Sequence, residues 1–299
     1  MRSHLLRETT SDKVFDILNV IIMILVLIIV GYPMYFVVIA SISDPMLVAK
    51  GEVILFPRNF ITIGYKRLFN YPQILTGYKN STLYTLVGTV IGVFLTISSG
   101  YALSRKDLLG RRFITLLFVF TLFFNGGLIP TYLLVKKLGL IDTFWAMIIP
   151  SAVGVFNVII AKSFYEGSWV DELSDSAMID GCGDLRFFFQ IVLPLSSPLI
   201  AVMTLFYAVG KWNSFFDGLI YLRTPTKYPL QLVLRDILIT GELMLGGSMQ
   251  DVGSITERLR LSELLKYSIM IVSSLPILIF YPFVQKYFTK GIMLGAIKG

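Results

Sequence analysis

The sequence predicts an all-α integral membrane protein with about six transmembrane helices. Three observations predict it. Of 299 residues, 55% are hydrophobic and only 15% charged, against about a quarter charged in an ordinary soluble domain. The mean hydropathy is +0.75. The apolar residues are gathered into six runs of about 20 residues, long enough for a helix to cross the hydrocarbon with its backbone polar groups satisfied internally.

The first run, Ile17 to Ile42, is unbroken until Gly31 and Pro33. It is too long for a signal-peptide core and carries no small-residue cleavage site, so it reads as a retained span after a short cytoplasmic lead, residues 1–16. The next runs are Ser81 to Leu103, Phe113 to Val135, Phe144 to Phe164, Pro198 to Leu222 and Ser268 to Phe288. With no internal repeat and no linker composition, residues 17–288 read as one transmembrane domain, followed by a cytoplasmic tail, 289–299. The short connection Ser104 to Arg112 holds Arg105, Lys106, Arg111 and Arg112. The positive-inside rule places that loop, and with it both termini, in the cytoplasm. Lys286, Lys290 and Lys298 near the end agree with this orientation.

Composition also excludes functions. One cysteine, Cys182, and one histidine, His4, leave no disulfide framework, zinc cluster, redox pair or nucleophile–base constellation. The expectation is a chain without catalytic residues or a bound metal. The net charge of +7 is spread over short loops rather than one stripe, which argues against nucleic acid. No G-x-x-x-x-G-K-[ST] phosphate loop occurs, so any ATP used must be bound by another chain.

The loop from 165 to 191 departs from the basic pattern of its side. It carries Glu166, Asp171, Glu172, Asp175, Asp180 and Asp184 against the single base Arg186. Val170, Leu173, Ala177 and Met178 recur at helical spacing, with Asp171, Glu172 and Asp175 on the other face, as in a short amphipathic helix. Ser168 is a candidate cap for its start and Gly181 for its end. A second helix is expected from Asp184 through Arg186, Phe187 and Ile191 toward Pro194 and Pro198. Such an elbow gives an outside partner something to push on.

Asp175, Ser176, Ala177, Asp180, Gly181, then Ile191, Leu193 and Pro194 resemble the EAA loop of binding-protein-dependent ABC importer permeases: Glu-Ala-Ala, three residues, Gly, nine residues, Ile-x-Leu-Pro. Asp175 and Ser176 replace the family's Glu and first Ala. Lys211-Trp212-Asn213 with Phe215, and Lys290-Gly291 through Gly295 to Gly299, look like the carbohydrate-uptake, maltose-permease branch. The run from Asn125-Gly126-Gly127 to Pro150 is similar to a subgroup for complex oligosaccharides and polysaccharide fragments. The resemblance implies an ABC type I importer permease fold and an elbow, with Asp175, Ser176, Ala177, Asp180, Gly181, Arg186 and Pro194, that couples to ATPase subunits. It implies a second, unlike permease subunit, two cytoplasmic ATPases holding ATP and Mg, an extracytoplasmic solute-binding protein and a sugar substrate. The chain would sit in a bacterial cytoplasmic membrane.

Ionisable groups inside a span point to function. Lys211 and Asp217 both lie in the fifth run, six residues apart, and on a straight helix would not share a face. Tyr207, Trp212, Asn213 and Phe215 are candidates for a sugar path, because aromatic faces suit a pyranose and an amide bonds its hydroxyls. Helix packing or an interfacial aromatic belt is the competing reading. Asn125 is a further candidate. An ion-coupled secondary transporter is the alternative class, with Asp217 as its carboxylate.

Overall fold

A computed structural model describes residues 10–245 and 263–282. Among them the regular elements are all helical. Three helices are long and apolar enough to span a membrane unaided: α1 (the 32 residues Thr10–Ser41), α4 (Pro72–Ser104) and α13 (Glu263–Pro282). Three helix pairs bent at short breaks are long and apolar enough when taken together, which brings the count among the described residues to as many as six. The tail and the end of the sixth run, 283–299, lie outside the described residues, as do 246–262 and 1–9.

Contacts group the chain, read from sequence as one domain, into two compact units: Met1–Asn70 with Leu238–Val272, and Tyr71–Ile237 with Ser273–Gly299. In the first unit, α1 is followed by α2 (Pro45–Ala49) and α3 (Ile63–Phe69). Ile39, Ala40, Val48 and Val53 form its small buried cluster, with Phe36 and Tyr267 packed against it.

The second unit is built around α4, which packs along α7 (Val155–Tyr165) and α10 (Ser197–Trp212). Helices in lipid gain no hydrophobic drive from meeting, so close backbone approach by small residues does much of the work. Gly92 and Gly100 of α4 supply it. A Cβ at Gly92 would lie 2.7 Å from the Tyr207 ring, and one at Gly100 2.5 Å from the Ala161 methyl. The core of this unit includes Ile97, Tyr101, Ala161, Tyr165, Leu199, Met203 and Tyr207.

The structure corrects four boundaries. The second span begins at Pro72, nine residues before Ser81, with proline at a helix start where its missing N–H costs nothing. The third is broken into α5 (Arg111–Phe123) and α6 (Leu128–Lys137), at 116° to each other. Gly127, at φ +85°, makes that turn, and its N–H is taken by Asn125 Oδ1 at 2.8 Å. The fourth is a 3₁₀ stretch, Phe144–Ser151, bent by 52° from α7. The fifth ends at Trp212 and resumes as α11 (Phe215–Tyr221). The connection expected from Arg223 onward contains α12 (Leu230–Leu245).

Candidate functional site: an acidic elbow and a polar cavity

The predicted elbow is present as α8 (Ser168–Ile179) and a second helical stretch, α9 (Asp184–Leu195). Gly167 and Gly183 occupy the N-cap positions, so Ser168 and Asp184 are first helical residues rather than caps. Asp184 there favours the positive end of its helix. Gly181 stands at φ +70°, donating to Met178 O at 3.0 Å, while Cys182 donates to Ala177 O at 2.9 Å. This pair of bonds is a Schellman closure, and glycine is the residue that reaches its left-handed position without strain. Nothing approaches within 4 Å of where a Gly181 Cβ would stand. Before Pro194, residues Phe188–Val192 form a π turn. Proline has no N–H for the carbonyl four residues back, and its ring crowds that carbonyl. The chain then turns 77° into α10.

The elbow's apolar stripe faces its own chain. Val170, Ala177, Phe187, Phe188 and Val192 join the α4–α7–α10 core, with Leu173 packed against it. Met178 does not belong to that stripe: it is 55% exposed, beside Ile179 at 87% and Leu185 at 76%. These three apolar side chains crown the turn, among exposed Asp175, Ser176, Asp180, Gly181 and Arg186. Arg186 Nε bonds Gln190 Oε1 at 3.0 Å.

Sequence reasoning missed what holds the elbow in place. Arg105 donates to Ser174 Oγ at 2.9 Å and to both Asp107 oxygens at 3.0 Å, and lies 3.7 Å from Asp184. Lys106 meets Asp171 at 2.7 Å. Arg111 and Lys162 both reach Glu166, the latter at 2.7 Å. A hydrogen bond from Lys162 is the main cause holding the Glu166 carboxyl below its usual range, and one from Arg105 does the same for Asp107. The signal was in the sequence as a basic loop and an acidic loop placed on one side.

The candidate path residues divide. Tyr207, Lys211 and Trp212 are buried, with Tyr207 at 6%, Lys211 at 4% and Trp212 at 5% exposure. The Lys211 ammonium donates to Met147 O at 2.8 Å, Ile148 O at 3.2 Å and Ser151 Oγ at 2.6 Å. The Tyr207 hydroxyl accepts from Gly154 N at 2.9 Å and pairs with Thr96 Oγ1 at 2.6 Å. Trp212 Nε1 donates to Ser273 O at 2.9 Å. Asn213 and Phe215 are exposed at the break after α10, and Asn125 is exposed at the break after α5. Because the helix breaks at Asn213, Lys211 and Asp217 are not kept apart as a straight helix would keep them. Both line a cavity of about 370 Å³ with Ser151, Asn157, Phe206, Asn213 and Phe216, and Asp217 interacts with Lys211 and Ser151.

A second anchor, also missed, closes the far connections of this unit. Asp142, at φ +57°, accepts from the N–H groups of Arg223 and Thr224 at 3.0 Å, from Thr224 Oγ1 at 2.6 Å and from Lys227 Nζ at 2.9 Å. Led by the Thr224 hydroxyl, these bonds hold its carboxyl well below the usual range. Asn80 Nδ2 and Tyr84 Oη bind the same segment through the carbonyls of Thr226, Tyr228 and Lys227. Among the described residues no cluster of metal-binding side chains occurs.

No family model matches the sequence. The chain is 39% identical over 298 residues to Protein LplC of Bacillus subtilis strain 168, covering 99% of each chain. It is 40% identical over 289 residues to that organism's polygalacturonan/rhamnogalacturonan transport system permease protein YtcP, covering 97% of this chain and 100% of the relative. The crystal structure of a bacterial ABC transporter involved in the import of the acidic polysaccharide alginate matches with a TM-score of 0.80 and 30% identity, over 94% of this chain and 98% of that one. With the elbow, the bent spans and these relatives together, the chain belongs to the integral-membrane permease subunits of ABC sugar importers.

Proposed function

We propose that this permease forms half of a translocation path with a second, unlike permease subunit, and is driven through its elbow by two cytoplasmic ATPases. ATP and Mg are held by those subunits, and this chain binds no cofactor. Both termini and the elbow face the cytoplasm of a bacterial cell, and an extracytoplasmic solute-binding protein delivers the sugar. The carrying observation is the elbow tip: Met178, Ile179 and Leu185 exposed on a closed Schellman turn, ringed by carboxylates and tied to the core by Arg105. Apolar side chains on a rigid helix end suit a cleft in a partner. The turn's attachment to α10 through α9 would transmit the partner's movement to the spans.

The substrate class in this reading is an acidic oligosaccharide. Relatives named for polygalacturonan and alginate support it, as do the exposed bases Lys136 and Lys137 at the end of α6. The cavity beside Asp217 and Asn157 is the portion of path wall that this subunit supplies. Lys211 has its three donors engaged, so Asn157, Asn213 and Phe216 are left to meet hydroxyls and a sugar face there.

A photo-crosslinker on Cys182, beside the turn, tests the coupling in native membranes. Capture of an ABC ATPase is expected; an adduct confined to other chains contradicts the assignment.

A further inference from the structure

The segment between α2 and α3 has a feature that the transport cycle does not use. Ile54 is 58% exposed, Leu55 57%, Phe56 75% and Phe60 69%, although Val53 beside them is buried at 2%. Four large apolar side chains on one short, irregular turn are costly in water. The turn is nevertheless fixed in place. Ile61 N donates to Ile42 O at 2.9 Å, Asp44 N to Arg58 O at 3.0 Å and Arg58 N to Ser43 Oγ at 3.2 Å.

Its far end is bound to the first span. Tyr32 of α1 donates its hydroxyl to Ile54 O at 3.1 Å, and Tyr35 donates to Leu55 O. Tyr35 and Tyr32 lie six and nine residues before the end of α1 at Ser41, which at ~1.5 Å per residue is about 9 and 14 Å along the helix. The turn therefore folds back beside the span rather than standing away from it. Exposed apolar side chains of α1 continue directly below, from Val20 to Val30. Tyrosines at this level are typical of the boundary between acyl chains and headgroups. Their hydroxyls cap two carbonyls that lipid could not satisfy, and Pro57 has no N–H to leave open. Arg58, 61% exposed at its side chain and 3.7 Å from Glu52, stands on the same turn, a polar edge of the kind that meets headgroups.

We infer that residues 53–60 form a membrane wedge, inserting Ile54, Leu55, Phe56 and Phe60 into the acyl boundary of the leaflet at the C-terminal end of α1. Lipid is the occupant because the wedge is continuous with the exposed apolar surface of a helix long and apolar enough to cross the membrane. Its backbone is capped on that side by the span's own tyrosines.

The test places a spin label at Phe56, and separately at Leu55 and Phe60, in the assembled importer in lipid bilayers on a Cys182→Ser background. Collision with oxygen is compared with collision with a water-soluble nickel chelate. Leu27 in the span and Lys50 in the loop serve as references. At least two of the three sites are expected to show an oxygen-to-nickel ratio like that of Leu27 and severalfold above Lys50. Nickel access equal to that at Lys50 overturns the inference in favour of a soluble loop. Immobilised labels reached by neither reagent overturn it in favour of a protein contact.

Discussion

Tyr207 and Lys211 stand one turn apart on α10 and satisfy opposite sides of the same break in span four. Tyr207 takes the N–H of Gly154, where α7 begins, and Lys211 takes the carbonyls of Met147 and Ile148, midway along the 3₁₀ stretch that precedes it. Irregular backbone at membrane depth is tolerated only when its polar groups find partners inside the protein. The two side chains make the bend of 52° possible.

Lys211→Met therefore acts on stability first. It strands the two buried carbonyls of Met147 and Ile148, at about 1–3 kcal/mol for each group left unpaired. A clear fall in the detergent-solubilised melting temperature is expected, and Tyr207→Phe should show a smaller one. Full thermal stability with abolished transport would instead make Lys211 a substrate ligand.

Arg105 and Lys106 should behave differently although they are neighbours in one loop. The Arg105 side chain is 17% exposed and pairs with Ser174, itself buried at 5%. Arg105→Ala is expected to cost about 1–3 kcal/mol, and Arg105→Lys to recover little, since a point charge cannot reproduce the guanidinium fork. Lys106 and Asp171 are 77% and 57% exposed, so Lys106→Ala should cost about 0–1 kcal/mol and less in salt. Thermal unfolding of the four proteins at low and high salt checks the order.

Asp142 gives a pH signature. Its carboxyl is held below the ordinary aspartate value in the folded chain, so its stabilisation is complete above that ordinary value. It is lost as pH falls through the folded value. The stability gap between the native protein and Asp142→Asn should be constant from about pH 5 to 8 and close below about pH 4. Asparagine accepts the left-handed backbone as readily as aspartate, so the gap reports the charge. A gap that widens on acidification would contradict the clamp.

Gly100→Val should weaken the α4–α7 contact, because its Cβ would meet the Ala161 methyl at 2.5 Å. Overpacking of this kind costs about 1–3 kcal/mol. Folded yield and melting temperature after extraction measure it.

Much of this was legible in the sequence, and the reasons for the rest are physical. Six apolar runs announced six crossings, since hydropathy counts residues that suit lipid. It carries no information on backbone direction, so the breaks at Gly127, Gly154 and Asn213 were read as continuous helix. Asn125-Gly126-Gly127 and Pro150 were the available signs. Assuming a straight fifth span separated Lys211 from Asp217, which share a cavity once the helix breaks. The elbow was legible because Gly181 and the apolar spacing of Val170, Leu173 and Ala177 act locally. Met178 was placed on the wrong face because the buried stripe ends one residue earlier, at Ala177, although the helix runs on to Ile179. The ties from Arg105 to Ser174 and from Asp142 to Thr224 span 69 and 82 residues, beyond any local pattern.

The central claim is that the elbow turn is gripped from outside. Its most direct test is ATP-driven sugar uptake by the complete reconstituted importer carrying Gly181→Trp, with Gly181→Ala as the control. Both substitutions strain the left-handed turn alike, and the chain itself leaves the Cβ position open, so only the indole obstructs a docked partner. The account predicts near-normal membrane insertion and melting for both, with uptake largely kept by Gly181→Ala and lost by Gly181→Trp. Uptake by Gly181→Trp at the native rate, or uptake driven by an ion gradient with no ATPase present, would contradict it.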